Sequence, residues 1–181
     1  MANIFLCSDH HFSHVGVTQF LRADGVTKLR PFDSIWEMDE YMIARHNSVV
    51  RPSDKVYFLG DFTFSKKNIH IAGRLHGDKV LIKGNHDTLK IQDYLPYFRD
   101  IRGCHQFDGM FLSHVPIHVE CIGRWGINVH GHLHANRVMK GHHIDPRYVS
   151  VCMEQLDDYT PISLEQLKQE NKSALESSVK S

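Results

Sequence analysis

No uninterrupted hydrophobic stretch in this chain exceeds four residues, the longest being Ile4–Cys7, Tyr41–Ala44 and Val56–Leu59. A helix spanning a bilayer needs about 20, so no transmembrane helix is expected. The N-terminus carries no basic segment, and its short apolar run is broken by Asp9 and His10. That argues against a secretory signal. Cysteine is sparse: Cys7, Cys104, Cys121 and Cys152 stand far apart, with no CxxC pair. Neither a disulfide framework nor a zinc ribbon is expected, and a reducing cytoplasm is the natural compartment. Excess charge is missing too, since 21 Lys+Arg balance 21 Asp+Glu. Proteins that grip long nucleic acid carry a basic surplus, so a long duplex is not an expected partner.

What is present describes an ordinary globule with one odd feature. A length of 181 residues, 41% hydrophobic and 23% charged, suits one domain with a real core. We place that domain at residues 1–170, with a polar, Ser-rich tail over 171–181 that frays. The odd feature is fifteen histidines. Histidine is both the commonest metal ligand and the physiological acid–base group, so their positions matter.

Short apolar runs ending in polar residues predict strands at residues 3–8, 55–60 and 79–84. A capping-box pattern, Ser34-Ile35-Trp36-Glu37, opens a helix with Met38 and Met42 on its apolar face. A second helix is predicted from Ser65 to His76, stopped by Gly77. Strand, helix, strand at these spacings makes a βαβ unit and a parallel sheet. After a short helix near 89–95, further strands are predicted at 99–106, 110–114, 126–131 and 148–153. A second capping box, Ser163 to Gln166, starts the last helix. The class is α/β with an added β-rich half.

Five of these strands end in the same vocabulary. The first runs into Asp9-His10-His11, the second into Asp61, the third into Asn85-His86-Asp87. The next two run into His114 and into His132-Leu133-His134. Ligands bind at the carboxyl ends of strands in open α/β sheets, so the five clusters can converge on one crevice. Each alone has a blander reading. Asp9–His11 could be a surface loop, Asn85-His86-Asp87 a tight turn, and His114 a hydrogen-bonded core histidine. Together they offer two carboxylates, an amide oxygen and four imidazoles, a donor set for Mn, Fe, Zn, Co or Ni. Seven donors exceed one tetrahedral centre but suffice for two metals if one carboxylate bridges. Asp61, alone after its strand, is the natural bridge.

The ordered set resembles the calcineurin-like metallophosphoesterase superfamily, whose blocks are D-x-H, G-D, G-N-H-D/E, H and G-H-x-H. They stand here as Asp9-His10-His11, Gly60-Asp61, Gly84-Asn85-His86-Asp87, His114 and Gly131-His132-Leu133-His134, across two-thirds of the chain. The resemblance implies two packed β-sheets flanked by helices, a four-layer αββα sandwich. It also implies two divalent ions, manganese first, with Fe, Zn, Ni or Co as alternatives. Asp9, His11, Asp61 and His134 would hold one ion. Asp61, Asn85, His114 and His132 would hold the other. His86 would face the substrate phosphate as the catalytic histidine, with Asp87 as its orienting carboxylate. The implied activity is phosphoester hydrolysis by a metal-bridging hydroxide attacking in line.

The substrate would be a small or nucleotide-type phosphoester, a diester first and a monoester second. A non-catalytic metal-binding scaffold is the competing class, and it predicts missing ligands. Oligomeric state stays open. His14 is a candidate substrate contact, and Arg124 with Trp125 could touch a phosphate and a base. Arg30, Arg45 and Arg51 are weaker anion candidates. His46, His70, His76, His105, His142 and His143 read as surface or structural.

Overall fold

The structure is a computed structural model that describes the backbone of residues 2–179 and the side chains of residues 2–173. Its larger sheet contains β1 (Ile4–Cys7), β2 (Lys55–Phe58), β3 (Asp78–Ile82), β4 (Asp100–Arg102) and β11 (Ile162–Ser163), in the order β11-β1-β2-β3-β4. β1 to β4 are mutually parallel, and β11 is antiparallel at the edge. A second sheet, ordered β10-β7-β6-β5, is built from β5 (Cys104–Phe107), β6 (Met110–Ser113), β7 (Ile127–His130) and β10 (Tyr148–Ser150). A hairpin of β8 (Met139–Lys140) and β9 (His143–Ile144) stands apart.

Alternation along the strands explains how the layers meet, because successive side chains point to opposite faces. Leu6, Tyr57, Val80 and Ile82 share one buried cluster with Met110, Leu112, Ile127 and Val129 of the second sheet. Their neighbours Phe5, Cys7, Val56, Phe58 and Leu81 join a second cluster with Met38, Met42 and Ile43 of α1 (Ile35–Val49). β1 to β3 are thus covered on both faces, which is why their sequences read as unbroken apolar runs. Leu6 and Leu112 are fully buried between the sheets; truncating either to Ala removes about 2–5 kcal/mol.

Both caps form. Ser34 Oγ accepts from the Glu37 N–H at 3.1 Å, and Glu37 Oε2 accepts from the Asp33 N–H at 2.9 Å. Ser163 Oγ accepts from the Gln166 N–H at 3.1 Å, opening α4 (Leu164–Val179). The stretch from Asn171, read as a tail, therefore continues as helix to Val179.

Two elements differ from expectation. Residues 65–76 contain only a 3-10 helix, Ile69–Arg74, within the β2–β3 crossover. Ile69, Ile71 and Ala72 are buried there, and the β-branched pair with Gly73 gives little helical preference. The single strand expected at 99–106 divides at Gly103, sending β4 to one sheet and β5 to the other. Two short helices, α2 (Ile91–Tyr94) and α3 (Val119–Ile122), and several further 3-10 turns lie in the connections. No helix among the described residues is long and apolar enough to cross a membrane.

Candidate metal centre

Three of the five strand ends deliver their polar residues by an unusual backbone step. Asp9, His11, Asp61, His132 and His134 all have positive φ, between 50° and 70°. Side chains other than glycine rarely adopt this region, Asp and His being among the more tolerant. Each such residue costs about 1–3 kcal/mol, and such strain concentrates at functional sites. Backbone bonds hold the loops in place. Asp9 N–H donates to Gly60 O (2.9 Å), His11 N–H to Asp61 O (3.0 Å) and Gly131 N–H to His114 O (2.9 Å). A Cβ on Gly84 would lie 2.2 Å from Asp61 Oδ1, and one on Gly131 would lie 2.4 Å from Asp9 Oδ2. The glycines before Asn85 and His132 are therefore required by space.

Two adjoining groups of donors result: Asp9, His11 and His134, and Asp61, His114 and His132. In each carboxylate one oxygen is tied and the other is left over. Asp9 Oδ2 accepts from the His132 N–H (2.9 Å) and the Cys152 thiol (3.2 Å). Its Oδ1 is buried without a partner, 3.8 Å from His11 Nε2 and 3.9 Å from His134 Nε2. Asp61 Oδ1 accepts from the His86 N–H at 2.8 Å. Its Oδ2 lies 3.8 Å from His11 Nε2 and 3.4 Å from His114 Nε2, so one oxygen faces both groups.

Three of these separations, at 3.8–3.9 Å, are too long for hydrogen bonds, and the 3.4 Å approach of His114 to Asp61 is a long one; all four suit atoms sharing a cation. Ligands about 2.1 Å from a tetrahedral ion stand roughly 3.4 Å from one another. Both ring nitrogens of His11 lack partners although the residue is 4% exposed. His114 makes the same point differently. Its Nδ1–H donates to Leu59 O at 2.7 Å, while Nε2 faces the acceptors Asn85 Oδ1 (2.8 Å) and Asp61 Oδ2. An imidazole with acceptors at both nitrogens needs a cation at the second one, a proton or a metal. The donor set, its orphaned atoms and its spacing therefore fit metal ions, and all seven ligand candidates are gathered here.

The electrostatics follow from burial and pairing. Burial, with help from Arg30, drives His11 down to about 3, so its ring is neutral and able to ligate at physiological pH. Burial alone would raise Asp61, but the His114 hydrogen bond and charge and the His86 N–H outweigh it and leave the carboxyl below its usual value. His114 moves the other way, because the Asp61 hydrogen bond and the Asp9 charge overcome the cost of burying it.

Two residues beyond the motifs complete the site. Glu154 Oε1 accepts from His134 Nδ1–H at 3.0 Å and from Arg30 Nε–H at 2.7 Å. Arg30 is fully buried; it also donates to His10 O at 2.6 Å and to Asp9 O. A carboxylate behind a ligating imidazole fixes its tautomer and raises its basicity. Burial would raise the Glu154 carboxyl, yet the Arg30 charge and the His134 bond hold it at about 2. Arg30 is thus committed to the scaffold and is not free to meet an anion. Arg45 is likewise engaged, with Asp158 at 2.9 Å.

The expected roles of His86 and Asp87 separate. His86 is exposed at the rim, its ring 4.5 Å from Phe64 and 5.9 Å from His11 between centroids. Asp87 does not orient it. The Asp87 carboxylate is buried and accepts from the backbone N–H groups of Asp61 (2.8 Å), Gly84 (2.9 Å) and Phe62 (3.0 Å). It is a fastener between two ligand loops. His10, the middle residue of its motif, stacks on Phe12 at 5.1 Å inside the core. His46 is buried against Phe58, and Arg124 packs over Trp125 at 4.7 Å.

Fold and site together define a mixed α/β protein with two adjoining His/Asp donor clusters at its strand ends. No protein-family model matches the chain. It is 33% identical over 172 residues to the uncharacterized protein MJ1445 of Methanocaldococcus jannaschii, covering 91% of this chain and 89% of that one. The chain belongs to the family of that archaeal protein. Among solved structures it is similar to the protein of unknown function AQ665 from Aquifex aeolicus, with a TM-score of 0.63 and 27% identity. That match covers 93% of this chain and 99% of the other.

Proposed function

We propose that the protein is a two-metal phosphoester hydrolase with a calcineurin-like sandwich fold. The observation that carries this reading is Asp61 Oδ2, poised between His11 Nε2 and His114 Nε2 at 3.8 and 3.4 Å. A single carboxylate oxygen facing two donor groups is what a pair of ions would share. Asp9, His11, Asp61 and His134 would hold one ion, and Asp61, Asn85, His114 and His132 the other. When bound, such a pair supplies Lewis acidity, lowering the pKa of water and offsetting phosphoryl charge.

The chain's own residues provide the rest. His86 stands at the rim with its backbone N–H fixed on Asp61 Oδ1, placing an imidazole beside the donors to protonate a leaving alkoxide. Arg30 and Glu154 keep His134 in one tautomer. Asp87 ties the Asp61 and Asn85 loops together. Every ligand position is filled, which favours an enzyme over a scaffold. The two shared-core sheets with α1 outside the larger one support the sandwich reading. The nitrogen and oxygen ligands admit manganese, iron, zinc, nickel or cobalt, and manganese is the ion we propose first.

The test is turnover by the Mn²⁺-loaded protein of a chromogenic phosphodiester and of the matching monoester, with Asp61→Ala beside it. Turnover of the diester, lost in the variant, is the expected result. No turnover of either substrate by protein carrying two ions per chain would refute the proposal.

A further inference from the structure

Beside the His132–His134 segment stands a small hairpin that the metal chemistry does not use. Arg22 N–H donates to Thr27 O and Leu29 N–H to Phe20 O, both at 2.7 Å, and Leu21 bridges Lys28. Asp24 caps the turn, accepting from the Val26 and Thr27 N–H groups and from the Thr27 hydroxyl. The hairpin is therefore ordered, yet it presents Phe20, Leu21 and Val26 to solvent at 51%, 52% and 82% exposure. Contiguous exposed apolar side chains rimmed by polar groups are a feature of ligand-binding grooves.

Phe20 is exposed but held. Its ring meets His14 edge-on at 6.0 Å, and His14 packs on Phe64 at 4.4 Å. Gly16 leaves the room for this, since a Cβ there would lie 3.1 Å from His14 Nε2 and 3.5 Å from Phe20 Cζ. Between the hairpin and the ligand segment lies a cleft of about 460 Å³, lined by Phe20, Leu21, Arg22, His132, Leu133 and Asn136 among others. This falls within the usual range for small-ligand sites. No carboxylate lines the cleft. The Arg22 guanidinium, at its wall, is exposed and makes no ion pair or side-chain hydrogen bond among the described residues.

We propose that this cleft binds the nucleoside portion of the substrate, with the base stacked on Phe20 and its phosphate directed to the metal centre. The inference deepens the phosphoesterase reading and rests on it. A planar ring suits a fixed aromatic face, an amide at Asn136 can meet a base edge, and an unpaired Arg22 suits an anionic compound. A bulky lipid or a protein segment would not require either polar group.

The experiment compares adenosine 2′,3′-cyclic phosphate with ribose 2′,3′-cyclic phosphate, which keeps the phosphoester and lacks the base. Turnover by the Mn²⁺-loaded protein is followed by phosphorus NMR, and AMP binding by calorimetry. In Phe20→Ala the KM for the nucleotide is expected to rise about tenfold, within the range that loss of one base–aromatic stack produces. KM for the base-free compound and kcat for both should stay unchanged. Arg22→Gln should weaken AMP binding several-fold. Equal KM values for the two compounds in the unaltered protein, or an equal shift of both in Phe20→Ala, would overturn the inference while leaving hydrolysis intact. If neither compound is hydrolysed, AMP binding that weakens about tenfold in Phe20→Ala upholds the nucleoside site and removes the hydrolase reading. AMP binding that is absent, or indifferent to Phe20, overturns the site.

Discussion

Replacing Gly84 by Ala adds a single methyl group at the most crowded point of the metal centre. A Cβ there would lie 2.2 Å from Asp61 Oδ1 and 2.5 Å from Asp61 N, whereas ordinary contact begins at 3.4 Å. The Asp61 carboxylate must then retreat by about 1.2 Å, the difference between 3.4 and 2.2 Å. It cannot retreat freely, because its backbone N–H is bonded to Asp87 and its Oδ1 to the His86 N–H. Overpacking of this kind costs about 1–3 kcal/mol, or roughly 2–12 °C in melting temperature for a chain of this size. Function suffers more, since a misplacement of about 1 Å can cost a hundredfold in rate.

Gly84→Ala should therefore remain folded and lose about 100-fold or more in phosphodiester turnover, with weakened binding of both ions. Circular-dichroism melting, metal analysis after dialysis and Mn²⁺-dependent turnover measure the three effects. Gly103→Ala is the matched control, because a Cβ at Gly103 meets nothing within 4 Å. A Gly84→Ala protein that binds two ions with unaltered affinity would refute the geometry.

Further outcomes test other parts of the site. His86→Ala should cost about 10²–10⁴ in turnover while metal content stays constant, if the imidazole works as an acid rather than a ligand. Glu154→Gln leaves Arg30 buried without its counter-charge, so urea denaturation should show a loss of about 3–5 kcal/mol; metal affinity should fall about 10–100-fold. His46 is buried and held down to about 4, chiefly by burial. Between that value and its ordinary 6.5 the unfolded chain binds the extra proton, so stability is full above about 6.5 and declines as pH falls, by about 3 kcal/mol at pH 4. His46→Gln should flatten that part of the acid limb in metal-free protein; an unchanged slope would show that His46 does not contribute.

Much of the site was legible because its signal is local. Each ligand lies at or just past the end of an apolar run, with Gly60, Gly84 and Gly131 opening the turns into Asp61, Asn85 and His132. Strand-end position thus gathered the clusters, and the motif resemblance picked Asp9, His11, Asp61, Asn85, His114, His132 and His134 from them. Asp87 belonged to the same motif, but whether its carboxylate met His86 or three backbone N–H groups depends on how two loops cross. Arg30 and Glu154 left no local signal. They are 124 positions apart and meet only because Cys152 docks beside Ser8 at the end of β1. The strand break at Gly103 was hidden for a similar reason: one continuous β pattern serves two sheets, and only their packing decides where it divides.

Whether Asp61 bridges two ions can be read directly from the metals. Apo protein would be titrated with Mn²⁺, with stoichiometry taken from metal analysis and coupling from electron paramagnetic resonance. Two ions per chain with the spectrum of a spin-coupled pair are expected, and Asp61→Ala should abolish the coupling and weaken retention of both ions. One ion per chain, or a coupled pair that survives Asp61→Ala, would contradict the dinuclear centre.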